Sequence, residues 1–328
     1  MSAGSSGTVR WGIMSTAGSA QKHVVPALHQ VGNCEPLAVA SRSLERAETM
    51  AQEMDIPRAY GSYQELLEDP DVDAVYVPLP TGLHAEWALR CAEAGKPTLV
   101  EKPIATNAEE AREMADAFAE RGVPLAEALM YVFHPRMQQI KEMVDDGEVG
   151  EVRVIQSVFC AQPESEENFR YQKELGGGAL RDVGCYCVSL TRQIAGQEPS
   201  QVSATAHIRN GCGVEDWLAG TLTFPSGVVG SFCCSLATEF GMHFDIYGSE
   251  GRIFVPGGVV PNIDAEAPIH HYVEYEKEEI VLPAANQWAL MVEDFADSLL
   301  NDRPPLPPVE ESIRNMEVLD GLLEAAGL

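Results

Sequence analysis

The sequence predicts an α/β protein of two domains: an N-terminal doubly wound (Rossmann) parallel sheet, and a C-terminal α+β domain with a large, mainly antiparallel open sheet. Three observations predict it. Over residues 9–127 short apolar runs alternate with helical patterns, as parallel strands flanked by helices require. Over residues 202–256 β-rich runs follow one another without helical patterns between them, which indicates antiparallel pairing. The chain's 328 residues suffice for two substantial cores. The boundary is placed to give a nucleotide-binding domain over residues 1–128 and a second domain over 129–328.

In chain order, Val9 to Met14 is the first strand, Ala20 to Gln30 a helix, Leu37 to Ala40 part of a second strand and Leu44 to Met54 a second helix. Ala74 to Val77 is a third apolar run. The helical stretch His84 to Ala94, the run Thr98 to Val100, the helix Ala108 to Arg121 and a last strand near Val123 to Ala126 complete the first domain. Beyond residue 130, a helix near Pro135 to Asp145 precedes the run Val152 to Phe159, and the triplet Gly176 to Gly178 opens a helix through Ile194. The strands Val202 to Ile208, Trp217 to Phe224, Val228 to Ser235 and Phe244 to Tyr247 follow, with Pro225-Ser226-Gly227 as a turn. Gly257 to Pro268 reads as loop, and Asn301 to Pro308 as a Pro-rich connector before a final helix, Glu310 to Ala326.

Composition narrows the function. With 22 Lys+Arg against 50 Asp+Glu the net charge is −28, which repels nucleic-acid phosphates and anionic membranes. Neither is expected as a partner. Such a surface repels itself in dilute buffer, and salt relieves the repulsion by shortening the screening length to roughly 3 Å at 1 M. A salt-adapted, halophilic protein is the expectation. No window approaches eighteen uninterrupted apolar residues, and Met1 to Gly7 has neither a basic nor an apolar leader segment, so a soluble cytoplasmic protein is expected. The eight cysteines form no CxxC pair and read as reduced, mostly buried thiols. His270-His271 point to opposite faces of a strand, and no metal site is expected.

A dinucleotide site wants small residues in the first strand-to-helix turn, so that backbone amides approach the pyrophosphate. Here Ser15, Ala17 and Ala20 give S-x-A-x-x-A, with Thr16 beside them and all three glycines of the usual fingerprint replaced. A generic tight turn would explain the same residues. The second strand ends in Ser41-Arg42-Ser43, with no acid for a ribose 2′-OH. Arg42 can pair with a phosphate, with the serines as neutral donors, which favours NADP over NAD.

Three further segments carry a resemblance: Pro78-Leu79-Pro80-Thr81-Gly82-Leu83-His84, then Glu101-Lys102-Pro103, then Gly176-Gly177-Gly178-Ala179-Leu180-Arg181-Asp182-Val183-Gly184-Cys185-Tyr186. Together they resemble the Gfo/Idh/MocA oxidoreductase family along most of the chain. The pattern is most similar to the branch holding NADP-dependent D-xylose 1-dehydrogenase, dihydrodiol dehydrogenase and glucose-fructose oxidoreductase, which has Tyr where inositol dehydrogenases have His. The resemblance implies that Leu79, Pro80, His84 and Glu101 lie with Lys102 along the cofactor. It implies that Lys102-Pro103 is a cis peptide, and that Tyr131, His134 and Arg170 contact sugar hydroxyls. It also implies a homo-oligomer formed through the open sheet, which the apolar runs Val228 to Val229 and Phe232 to Cys234 would allow.

Asp182 and Tyr186 are spaced i and i+4, so a helix puts both on one face. Lys102 follows a parallel strand's carboxyl end, where open α/β sheets bind ligands. Oxidising an alcohol requires loss of the hydroxyl proton as hydride leaves carbon, and Tyr186 is the expected acid/base. An ordinary tyrosine, with a pKa of about 10, needs roughly 4 kcal/mol of help near neutrality, which Lys102 and the oxidised nicotinamide can supply. Asp182 binds substrate or holds Lys102. The expectation is therefore an NADP-dependent oxidoreductase acting on a sugar or cyclic diol, concretely an aldose 1-dehydrogenase such as a D-xylose dehydrogenase. A keto-sugar reductase and a non-catalytic NADP sensor of the same fold stay open.

Overall fold

A computed structural model of the chain describes residues 7–163, 165, 167–209 and 211–328. Met1 to Ser6, most of the stretch read for a leader, lie outside them. Among the described residues no helix is long and apolar enough to cross a membrane.

The chain divides into two compact units. The first holds residues up to Ala105, Glu109–Met130 and Asn286–Ile313. Its sheet contains β1 (Val9–Met14), β2 (Cys34–Ala40), β3 (Arg58–Tyr60), β4 (Ala74–Val77), β5 (Thr98–Val100) and β6 (Leu125–Glu127), in the order β3-β2-β1-β4-β5-β6. All pairs are parallel. β4 and β5 are buried throughout and β1 everywhere except Arg10, which is why they read as largely apolar runs. The order reverses between β1 and β4, so the carboxyl ends of these strands form the crevice where such sheets take ligands. At the opposite edge Arg10 pairs with Asp73 at 2.9 Å and Arg58 with Asp69 at 2.7 Å, tying the strand starts together.

The helices of this unit include α1 (Val25–Gln30), α2 (Leu44–Glu53), α3 (Tyr63–Glu68), α4 (His84–Glu93) and α5 (Ala108–Arg121). A π turn, Ala20–Val24, leads into α1. The Ser43 hydroxyl caps α2 by accepting the Arg46 N–H, and Ser62 caps α3 by accepting that of Glu65.

The second unit holds Thr106–Ala108, Tyr131–Ala285 and Arg314–Leu328. It contains α6 (Pro135–Asp145), β7 (Val152–Cys160) and a π turn, Leu180–Gly184, that runs into α7 (Cys185–Ala195). Then come β8 (Gln201–Ile208), β9 (Glu215–Thr223), β10 (Val229–Ser235), β11 (Gly241–Gly248), β12 (Gly251–Pro256), β13 (Ala267–Val273) and β14 (Glu276–Leu282). These strands form one sheet in the order β14-β13-β12-β11-β7-β10-β9-β8, antiparallel except where β10 runs parallel to β7. β13 and β14 extend it beyond the expected strands. Phe232 and Cys234, expected on an associating surface, are instead buried, at 5% and 0% exposure. Cys234 packs against the Gly184 turn and Phe232 against Gly220, where an added Cβ would lie 2.8 and 2.7 Å from their side chains.

The boundary between residues 128 and 129 leaves out one return crossing. α8 (Gln287–Leu300) belongs to the first unit although the chain reaches it after the large sheet. The physical reason is its apolar face. Phe295 meets the Trp11 ring at 5.4 Å, Trp288 stacks on His23 at 4.1 Å, and the Asn33 side-chain amide donates to the Glu293 carbonyl. Burying each such large side chain contributes about 1.5–3 kcal/mol. The last helix, α9 (Val309–Ala325), carries the chain from the first unit into the second.

Candidate active site

In the first unit, the turn after β1 keeps a glycine-like backbone without a glycine. Ser15 adopts φ 144°, which side chains disfavour, and its hydroxyl holds the turn by donating to the Pro78 carbonyl at 3.0 Å and accepting the Ala17 N–H at 3.2 Å. The Thr16 carbonyl accepts from the Gln21 amide at 2.9 Å. The helical stretch begins at residue 18, where a Cβ at Gly18 would meet nothing within 4 Å. The turn Ser15–Ala17 is thus held by the Ser15 hydroxyl and is open beside Gly18.

At the end of β2, Ser41 is buried and its hydroxyl accepts the Ser43 N–H at 3.3 Å, while Arg42 is exposed. Tyr63 lies near the positive charges of Arg42 and Arg46. Burial raises the Tyr63 pKa and the two arginines oppose that rise. Arg46 and Tyr63 were missed at the sequence level. Arg46 lies one helical turn beyond Arg42 in a chain with few cations, and that spacing was the available signal.

The turns after β4 and β5 are fastened to each other. His84 is fully buried, with Nδ1 2.9 Å from the Pro103 carbonyl and Nε2 2.8 Å from the Leu79 carbonyl. Burial lowers its pKa against the pull of those carbonyls. This corrects the expectation that His84 faces the cofactor: both ring nitrogens point at backbone, and the ring has no exposed surface. Leu79 is buried, and Pro80 precedes a short 3-10 turn, Thr81–Leu83. Glu101 folds back on its own turn, accepting the Tyr76 hydroxyl at 2.5 Å and the Lys102 N–H at 3.1 Å. Lys102 is half-buried just past β5, and the Lys102-Pro103 bond is cis. Glu127, at the end of β6, accepts the Ile104 N–H at 3.1 Å.

In the second unit, the glycine triplet is dictated by crowding. A Cβ on Gly177 would lie 2.5 Å from the Arg170 carbonyl oxygen, and one on Gly178, at φ 125°, would lie 2.5 Å from a Glu215 carboxylate oxygen. The Gly178 N–H donates to the Arg170 carbonyl, and the Leu180 N–H to Glu215, each at 2.9 Å. Glu215 is a buried acid whose burial raises its pKa, and it caps the start of the helix that carries Asp182 and Tyr186. Glu215 was also missed, since nothing in its neighbourhood marks it among the acids. The helix begins with the π turn Leu180–Gly184, the counterpart of the one beyond Ser15, and such turns recur at functional sites.

Asp182 is mostly buried and pairs with the Arg170 Nε at 2.6 Å. Tyr186 is 5% exposed, its ring 6.0 Å from Tyr131 and 5.5 Å from Phe159. Two expected sugar contacts are corrected here. Tyr131 is fully buried, and its hydroxyl is bonded to the Ser189 hydroxyl at 2.9 Å and to the Gln193 amide at 3.0 Å, so it packs beside Tyr186. His134 is 1% exposed and caps α6, its Nδ1 accepting the Arg136 N–H at 3.0 Å. Burial and the neighbouring Arg136 pull its pKa down to about 4, so it is the neutral ring that accepts. Arg170 lies in the site but is engaged by Asp182.

Chemically, the first unit offers an open turn after β1, an exposed arginine after β2 and an amine after β5. The second offers a phenol in an aromatic setting and a carboxylate held by an arginine.

Residues 9–129 match the oxidoreductase family GFO/IDH/MocA, NAD-binding Rossmann fold, and residues 137–254 match the GFO/IDH/MocA C-terminal domain. The chain is similar to D-xylose 1-dehydrogenase (NADP(+)) 2 of Haloferax volcanii, 35% identical over 317 residues that cover 96% of this chain and 97% of that protein. It is 36% identical to trans-1,2-dihydrobenzene-1,2-diol dehydrogenase of Mus musculus over 262 residues, 77% of this chain and 78% of that one. Its fold is similar to the crystal structure of a 3-ketoreductase from Actinomadura kijaniata in complex with NADP and TDP-benzene, with a TM-score of 0.93, 32% identity, and 97% of this chain and 98% of that one covered. That ketoreductase has also been solved as a tyrosine-to-phenylalanine variant and as lysine-to-alanine and lysine-to-glutamate variants.

Proposed function

The chain belongs to the GFO/IDH/MocA oxidoreductase family, and from that premise we propose that it is an NADP-dependent sugar oxidoreductase in which Tyr186 exchanges the substrate proton, assisted by Lys102. One observation carries this reading: Lys102, Asp182 and Tyr186 all stand in the family's motifs, and tyrosine and lysine are also the residue types substituted in the ketoreductase. The Ser15–Ala17 turn with its open approach, and Arg42 with Tyr63 and Arg46 beside it, suit a dinucleotide that carries a 2′-phosphate. When bound, NADP supplies the hydride acceptor in the oxidising direction and the donor in the reducing one.

The protein's own residues do the rest. Tyr186 takes the hydroxyl proton during oxidation or returns it during reduction. The Lys102 ammonium favours the phenolate. Asp182, oriented by Arg170, accepts a hydrogen bond from a substrate hydroxyl, and the buried setting of Tyr186 limits water at the phenol. The substrate is an aldose such as xylose, oxidised at C1 to its lactone, as the similarity to the Haloferax volcanii enzyme supports. The likeness to the 3-ketoreductase favours a second reading, reduction of a keto-sugar on the same residues.

A spectrophotometric screen of aldoses, cyclic diols and keto-sugars, with NADP and NAD at about 0.1 and about 2 M salt, tests the reading. Turnover of a sugar with NADP preferred, and activity held or raised at high salt, is expected. No turnover with any sugar would overturn the function, and loss of stability at high salt would overturn the salt adaptation inferred from the charge of −28.

A homo-oligomer formed through the large sheet belongs to the same proposal. Half-buried Tyr247, Phe254 and Tyr272 surround Arg252, whose guanidinium lies 5.1, 5.5 and 5.2 Å from their rings. Sedimentation velocity at micromolar concentration is expected to show a dimer or larger species that Phe254→Glu dissociates. A monomeric parent protein would contradict it.

A further inference from the structure

The three turns at the carboxyl ends of β1, β4 and β5 are linked by buried polar contacts. The Ser15 hydroxyl donates to the Pro78 carbonyl, and the His84 ring lies between the Leu79 and Pro103 carbonyls; with its one proton on Nδ1 it donates to Pro103. The next link is the informative one. The carbonyl of Pro103 and the N–H of Ile104 are the two ends of a single peptide group. His84 contacts the carbonyl end at 2.9 Å, and Glu127 accepts from the N–H end at 3.1 Å. Both side chains are essentially inaccessible, at 0% and 2% exposure, and they come from different elements, α4 and β6. A peptide plane gripped at both ends by side chains of two rigid elements cannot rotate without breaking a buried hydrogen bond, at about 1–3 kcal/mol for each group left unsatisfied. That plane begins one residue after Lys102.

We propose that His84 and Glu127 are positioning residues that fix the direction of the Lys102 side chain by clamping the Pro103–Ile104 peptide from both ends. The inference rests on the reading of Lys102 as a working residue of the site. Neither His84 nor Glu127 touches a reacting atom. Their burial has the consequence that placing them there is worthwhile only if the turn they hold must be rigid. The acid at the end of the apolar run Leu125–Leu129 is explained by the same role: it supplies the acceptor that the strand's own ladder does not provide for the Ile104 N–H.

The test separates the acceptor from its charge and from the fold. Glu127→Gln keeps a side-chain oxygen for the Ile104 N–H, Glu127→Leu removes it at similar size, and His84→Leu releases the other end. Competitive acetylation followed by peptide mass mapping reads the reactivity of the Lys102 amine against that of exposed Lys141 in the same sample. In Glu127→Leu and His84→Leu the relative reactivity of Lys102 is expected to change at least about threefold, and turnover to fall about 10- to 30-fold. Glu127→Leu is expected to lower kcat with NADP affinity and KM nearly unchanged, while Glu127→Gln matches the parent protein in every readout. Unchanged Lys102 reactivity and turnover in both leucine variants would overturn the clamp. A loss in Glu127→Gln as large as in Glu127→Leu would overturn it too, since the charge rather than the acceptor would then matter. If Lys102→Ala itself keeps full turnover, the assignment of Lys102 falls, while the reactivity shift in the leucine variants still reports the clamp.

Discussion

Replacing Tyr186 with phenylalanine is expected to lower turnover by about 10²–10⁴-fold while leaving NADP affinity and thermal stability close to those of the parent protein. The substitution removes one oxygen and preserves the ring, so the contacts with Tyr131 and Phe159, at 6.0 and 5.5 Å, survive. The loss therefore reports the proton and not the packing. It should fall on kcat and kcat/KM together, because the phenol acts in the transition state and contributes little to ground-state affinity. Steady-state kinetics, a fluorescence titration with NADP and a thermal melt on one preparation check all three points. Turnover within about threefold of the parent would remove Tyr186 from the chemistry.

Lys102→Ala carries the second largest expected effect, a loss of about 10²–10³ in turnover. A unit charge about 4 Å from another is worth about 4 kcal/mol at an effective dielectric of 20, an upper range for what one ammonium lends a neighbouring phenolate. The sign of the pH dependence is distinctive. In the oxidising direction the phenol must be deprotonated, and a nearby cation favours the phenolate. Removing the cation moves the acid limb of the rate profile to higher pH, so the deficit is greatest at low pH and shrinks as pH rises. Lys102→Arg retains the charge and should keep the limb in place. The fold is not at stake in either variant: the turn is held by the Lys102 backbone N–H on Glu101 and by the peptide that His84 and Glu127 grip.

The elements most legible in the sequence were those whose burial is two-sided. β1, β4 and β5 appear at the residues their apolar runs marked, because a parallel strand covered on both faces leaves no room for polar alternation. β3 escaped notice, since three half-buried residues, Arg58–Tyr60, make no pattern. β14 hid for another reason: Glu276, Lys277, Glu278 and Glu279 are exposed on an edge strand, where charge prevents unwanted pairing and erases the strand signal. The return of α8 to the first unit depends on Trp11 and His23 accepting Phe295 and Trp288, contacts between residues far apart in the chain that no local pattern encodes.

The site divides in the same way. Lys102, Asp182, Tyr186 and the Ser15 turn stood out because each sits in a spaced motif next to a strand end or helix start. Tyr131, His134 and His84 were misread for a shared reason: a polar-tipped ring suits a ligand contact and a buried cap or strut equally well. Their actual partners, Ser189, Arg136 and two backbone carbonyls, are visible only in three dimensions. Glu127 and Glu215 lay hidden among 50 acids until their burial set them apart.

The measurement that bears most directly on the proposed cooperation of the Lys102 amine and the Tyr186 phenol is the double-mutant cycle between Lys102→Ala and Tyr186→Phe, read as kcat/KM. If the ammonium works through the phenolate, the double variant is slower than Tyr186→Phe alone by no more than about threefold. Losses that multiply in full would mean that the two residues act independently and would contradict the account.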